Sequence, residues 1–89
     1  MKAIVTVVGK DRVGIIAGVC VRLAEYQVNV LDISQTVMQE YFTMIMLVDA
    51  SGCGMPFTDL TALLRQKGEE NALQIRIQRE DIFNAMHRI

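Results

Sequence analysis

Tryptophan is absent from this chain of 89 residues, proline and histidine occur once each, and there are only two cysteines. The lone histidine, His87, has no Cys or His at ligand spacing beside it, so the sequence offers no zinc ligand set; a helix-capping or interface role fits it better. Cys20 and Cys53 make no CxxC pair, and without a recognisable secretion signal they read as reduced thiols. Cys20 falls on an apolar helical stripe and reads as core. Cys53 lies in a glycine loop with no base near it in sequence, an oxidisable thiol rather than a nucleophile. Nor does either sign of charge dominate: nine basic and ten acidic residues leave a net charge of −1. With no basic stripe to neutralise phosphates, nucleic-acid binding is not expected. No run approaches the roughly 20 apolar residues of a membrane span, and Met1 to Val5 lead straight into a strand pattern instead of a signal peptide. Gly52-Cys53-Gly54 lacks the following Lys-Ser or Lys-Thr of a phosphate loop. No segment repeats and none is of low complexity. A cytoplasmic, soluble domain without metal or cofactor is the expectation.

What the chain does have is apolar residues, 52% of the total, six of them Met. That excludes intrinsic disorder and suits one small domain spanning residues 1–89. Residues 2–8 are β-branched and bounded by Gly9, a strand. Lys10 to Arg12 form a polar turn in which Asp11 is placed to cap a helix. From Val13 to Tyr26 the period becomes helical, with Val13, Ile16, Ala17, Cys20, Leu23 and Ala24 as the stripe. Gly18 interrupts it at a helix cost of about 1 kcal/mol, which a close approach to another backbone would explain. Val28 to Gln39 reads as a strand with Leu31, Ile33 and Val37 on one face. A reversal at Glu40-Tyr41 leads to a third strand, Phe42 to Ala50. Ser51 to Gly54 is a loop, and Pro56 suits the start of a second helix. Its stripe is Phe57, Leu60, Leu63 and Leu64, and it continues past Gly68 to about Asn71. Leu73, Ile75 and Ile77 alternate with Gln74, Arg76 and Gln78, a half-buried fourth strand. Asp81 to Ile89 reads as a short amphipathic helix with Ile82, Phe83, Met86 and Ile89 on one side.

The order β-α-β-β-α-β gives an α+β, ferredoxin-like sandwich: a four-stranded antiparallel sheet with two helices on one face, plus the short C-terminal helix. The third strand is apolar on both sides, Ile45 and Leu47 opposing Phe42, Met44, Met46 and Val48. An antiparallel sheet with one wet face alternates more cleanly than this. Something beyond the two helices must cover the second face, and the candidates are the terminal helix and a second copy of the chain. A homodimer is therefore expected.

Element order alone says little about function; the local sequence says more. Val7-Val8-Gly9-Lys10-Asp11-Arg12-Val13-Gly14-Ile15-Ile16-Ala17 resembles the first strand, turn and helix start of ACT domains, whose usual form is an apolar strand, Gly-x-Asp-Arg-Pro-Gly and an apolar helix. Val13 replaces the common Pro and keeps both glycines in place. Asn29-Val30 matches the Asn-Ile that commonly opens the second strand. Glu80 to Ile89 is similar to the C-terminus of a small family of bacterial and archaeal proteins consisting of one ACT domain. The resemblance implies a non-catalytic regulatory module that binds an amino acid at a subunit interface and acts through association, with a regulated partner protein that no attached domain identifies. It places Asp11, Arg12, Val13, Gly14, Ile15, Asn29 and Val30 around the ligand. Asp11 would cap the helix, and Gly14 would let a carboxylate approach the helix N-terminus, where free N–H groups and the dipole suit an anion. Asn29 has both a donor and an acceptor for an amino-acid backbone. Val13, Ile15 and Val30 would form apolar walls.

Each of these residues also has a plainer reading. Asp11 and Gly14 serve as cap and tight turn, Lys10 and Arg12 as solvated charges, and Asn29 as a strand opening, in a module that only associates. An acylphosphatase shares the element order, with Arg12 holding phosphate and Asn29 positioning water. Against it, Asp11 sets an acid beside the supposed phosphate, and like charges repel.

Overall fold

The computed structural model describes residues 1–10 and 14–81. Asp11, Arg12 and Val13, the side chain of Ile16, and the expected terminal helix with His87 lie outside the described residues. The elements are β1 (Lys2–Lys10), α1 (Ile15–Glu25), β2 (Asn29–Met38), β3 (Tyr41–Asp49), α2 (Phe57–Glu70) and β4 (Leu73–Arg79). The strands form one sheet in the order β2-β3-β1-β4. All three pairings are antiparallel, so the ferredoxin-like architecture read from the sequence is the one observed.

Alternation in the strands decides which side the helices occupy. Ala3, Val5 and Val7 of β1 pair with Val48, Met46 and Met44 of β3 and with Arg79, Ile77 and Ile75 of β4. Apart from Arg79, these residues join Phe42 and Leu73 in one buried cluster with Ile15, Val19 and Leu23 of α1 and Leu60 and Leu64 of α2. Directly opposed residues share a sheet face, so both helices cover the same side. The other side carries Ile4, Val8, Ile45 and Leu47. There Val8 is 38% and Ile45 42% exposed, while Ile4 and Leu47 are half-buried.

Three local expectations are corrected. Helix α1 starts at Ile15, with Gly14 and not Asp11 in the N-cap position. Its buried stripe is Ile15, Val19 and Leu23, flanked by half-buried Cys20, while Ala17 and Ala24 face outward. Turning the large residues inward buries more apolar area than turning the alanines inward would. The hairpin reverses at Gln39-Glu40, one residue earlier than expected, and Tyr41 opens β3 opposite Met38. In β2 the register slips between Val30 and Asp32. Leu31 is thus the extra residue of a bulge, and Ile33 and Val37 keep a common face without it.

Helix α2 does continue to Glu70, and Gly68 explains how. A Cβ at Gly68 would lie 2.7 Å from the Leu73 carbonyl oxygen. Glycine there lets the last turn of α2 lie against the start of β4. The close backbone approach expected at Gly18 belongs to Gly68. Among the described residues, a Cβ at Gly18 meets nothing within 4 Å.

Candidate ligand site

Gly14 adopts φ 90° and ψ 1° in front of α1, a left-handed conformation that costs a residue with a Cβ roughly 1–2 kcal/mol. The turn therefore requires glycine for conformation alone. No described side chain caps the helix. The first helical bond runs from the Gly18 N–H to the Gly14 carbonyl at 2.9 Å. The amides before it have no partner within the helix, as at any helix start.

Gly14 and Ile15 open onto a half-enclosed cavity of about 500 Å³. Gly18, Val19 and Arg22 continue its wall along α1, and Leu64, Lys67, Glu69 and Glu70 of α2 face them. Asn71, Ala72, Leu73 and Ile75 close the end where α2 turns into β4. The volume is in the range of small-molecule sites. Arg22 and Lys67 each engage an exposed carboxylate of their own helix, Glu25 at 3.3 Å and Glu70 at 3.6 Å. Such surface pairs contribute little and are readily exchanged. The Asn71 side-chain amide donates to the Lys67 carbonyl at 2.8 Å, and the Ala72 N–H donates to the Glu69 carbonyl at 3.2 Å. These bonds end α2 at the cavity's edge.

Asn29 and Val30 are elsewhere. Asn29 pairs with Asp49, which pairs with Lys2, whereas the turn leaves β1 at Lys10, beside Tyr41 and Met38. At about 3.3 Å per residue the two ends of β1 are on the order of 25 Å apart. Within one chain the expected site is split: Gly14 and Ile15 lie at one end of the sheet, exposed Asn29 and half-buried Val30 at the other. The same distance weighs against the acylphosphatase geometry, since Lys10, from which the turn leaves, and Asn29 lie at opposite ends of the sheet. Arg22, Lys67 and Asn71 were not signalled by the sequence as site residues, because α1 and the end of α2, far apart in sequence, bring them together. Gly18, which also lines the cavity, was read from the sequence as a close backbone approach and not as a site residue.

Near Asn29, Asp49 accepts from the Ser51 hydroxyl at 2.6 Å, from the Ser51 N–H at 2.9 Å and from the Met1 amine at 3.4 Å. These bonds, the Ser51 hydroxyl foremost, lower its pKa from 3.8 to about 2. Among the described residues there is no cluster of three or more His, Cys, Asp or Glu placed to hold a metal ion. None of the described helices is long and apolar enough to cross a membrane.

A family model described as "ACT domain" matches residues 2–78. A UPF0237 protein of Clostridium acetobutylicum is 57% identical over 89 residues, covering 100% of both chains. Among solved structures, an ACT domain protein from Streptococcus pneumoniae superposes with a TM-score of 0.83 at 48% identity, covering 98% of each chain. A protein named as a candidate glycine cleavage system transcriptional repressor gives a TM-score of 0.71 at 25% identity, over 86% of this chain and 44% of that one.

Proposed function

The chain belongs to the ACT-domain family of regulatory ligand-binding modules, and we propose from this that it is non-catalytic, binds an amino acid where two copies meet, and acts by changing association. The observation that carries the proposal is the split site. A turn built for an anion and an amide built for an amino-acid backbone stand at opposite ends of one sheet, and a second copy reunites them. Strand β2 is one of the sheet's two edges, and every residue from Leu31 to Met38 is exposed. Its Leu31, Ile33, Val37 and Met38 are 45%, 39%, 51% and 69% exposed. A long apolar edge with one charge, Asp32, invites pairing. Antiparallel pairing of β2 with its counterpart sets Asn29 of each chain beside Met38 of the other, the end from which the other chain's Gly9–Gly14 turn leaves β1.

In that arrangement Asp11, Arg12, Val13, Gly14 and Ile15 come from one copy, and Asn29 and Val30 from its partner. The amino acid's carboxylate lies at the start of α1 and its ammonium at Asn29. Ile33 and Val37, which register places on the helix side of the sheet and which are exposed there, are covered by the second copy. The similar repressor is named for control of the glycine cleavage system, which supports a regulatory role in amino-acid metabolism here. A cytoplasmic location and a regulated protein partner accompany this reading. The exposed apolar residues also favour a second one, a module that associates without any ligand.

Thermal stability across the twenty amino acids decides between them. A ligand at a hundred times its dissociation constant adds about 2.7 kcal/mol to stability. At least one amino acid is expected to raise the melting temperature, and Asn29→Ala to diminish that shift. If no amino acid raises it while the chain still sediments as a dimer, the ligand-independent module is the correct reading.

A further inference from the structure

The sheet face turned away from the helices is ordered in rows across the strands. Register sets Gln78, Ile4, Leu47 and Asp32 in one row and Arg76, Thr6, Ile45 and Ser34 in the next. The first row lies at the end where the chain leaves β4, beside Arg79. It is also the better covered row: Gln78, Ile4 and Leu47 are half-buried, whereas Arg76 and Ile45 are exposed. At this same corner Glu80 and Asp81 have helical backbone. The sequence that follows is apolar at Ile82, Phe83, Met86 and Ile89, and those side chains need cover. Among the described residues, the helix side of the sheet is closed at this end, with Ala3, Val5, Val48 and Ile77 at most 5% exposed. Asp81 is held at 3.1 Å by Arg79, whose strand partner Ala3 is on the helix side. Continued at about 3.6 residues per turn, a helix from Glu80 carries Asp81, Asn84 and Arg88 on one side and the four apolar residues on the other.

We propose that the segment from Glu80 to Ile89 is a helix that lies across the open sheet face of its own chain. Ten residues at about 1.5 Å each make a rod of about 15 Å. Strands about 4.8 Å apart place β2 about 14 Å from β4, so the helix spans the sheet from edge to edge. A helix about 10 Å across covers two rows, which are spaced about 7 Å on one face. Phe83 lies over β1 and Met86 over β3, on Ile4, Leu47 and Ile45, while Val8, one row further on, stays open. The last turn brings the basic His87 and Arg88 to Asp32, the single charged residue of β2. The open face is then filled from within the chain, and the β2 edge is left for a second copy. This assignment is independent of any ligand.

Engineered cysteine pairs in the full chain, with Cys20 and Cys53 replaced by Ala, test the placement. Under mild oxidation Ile45→Cys with Met86→Cys is expected to form a disulfide within one chain, seen as a monomer of raised mobility on a non-reducing gel. Ile45→Cys with Asn84→Cys, on the polar side of the helix, is expected to stay reduced. Covalent dimers in place of the internal bridge would assign the cover to a second copy and overturn the proposal, and so would equal bridging by both pairs. Nuclear Overhauser contacts in the unaltered chain are a second route that needs no variant. They are expected between the Phe83 ring and the methyl groups of Ile4, Leu47 or Ile45. Contact with none of the three overturns the docked helix. Contacts that appear only between differently labelled copies mixed together overturn its placement on its own chain.

Discussion

Asp49 is the residue whose chemistry has the clearest consequence in solution. Its carboxylate collects two hydrogen bonds from Ser51 and one from the Met1 amine, and its pKa falls from 3.8 to about 2. A group whose pKa is depressed by folding contributes stability above its unfolded pKa and loses it as the pH falls through the folded one. The contribution of Asp49 is therefore complete above 3.8 and disappears on acidification towards about 2. Thermal melts of the unaltered chain and of Asp49→Asn across that interval are the check. The unaltered chain is expected to be the more stable at neutral pH, and the two curves to converge as the pH approaches 2. Parallel curves would mean that the Ser51 contacts do not persist in solution. Exposure of the site makes this a modest effect, readable as a slope against pH.

At the scale of elements, the two helical glycines carry opposite predictions for the same substitution. Gly68→Ala drives a methyl to within 2.7 Å of the Leu73 carbonyl oxygen and 3.0 Å of the Ile75 Cγ1 atom. Backbone on one side and a packed strand on the other have nowhere to go, so the variant is expected to lose about 1–3 kcal/mol. Gly18→Ala meets open space and is expected to gain about 1 kcal/mol from helix propensity alone. Denaturant unfolding of the pair tests both signs in one experiment. The contrast also shows what the sequence could and could not disclose. Alternation marked β3 and β4 and the face each presents, and the spacing of Gly9 and Gly14 marked the change from β1 to α1. The phase of α1 was not, because Ile15 and Val19 compete with a second stripe that includes two alanines, and only the sheet decides which stripe is buried. The bulge at Leu31 was hidden for a related reason: an extra residue leaves the apolar pattern of Ile33 and Val37 intact. Gly18 and Gly68 look alike in sequence, and only the distance to β4 tells them apart. The cavity draws on α1, α2 and the turn into β4, so no linear motif could announce it.

At the scale of the whole molecule, two apolar surfaces remain uncovered among the described residues, and they make different dimers. One is the β2 edge with Ile33 and Val37 on the helix side. The other is the open face centred on Ile45 and Val8, at 42% and 38% exposure. Edge pairing extends the sheet and brings Asn29 to the partner's turn, whereas face-to-face packing leaves Asn29 without such a neighbour. The surfaces respond to different substitutions. Val37→Lys places a charge against the paired edge, a device by which edge strands avoid association, and Ile45→Lys does the same to the open face. Sedimentation over a range of concentrations is expected to show a dimer for the unaltered chain and for Ile45→Lys, and a monomer for Val37→Lys. An amino-acid response that needs the two-chain seat is expected to vanish with the dimer. The reverse pattern, with Ile45→Lys dissociating the chain and Val37→Lys leaving it paired, would assign the interface to the open face. Asn29 would then be an ordinary opening residue of β2.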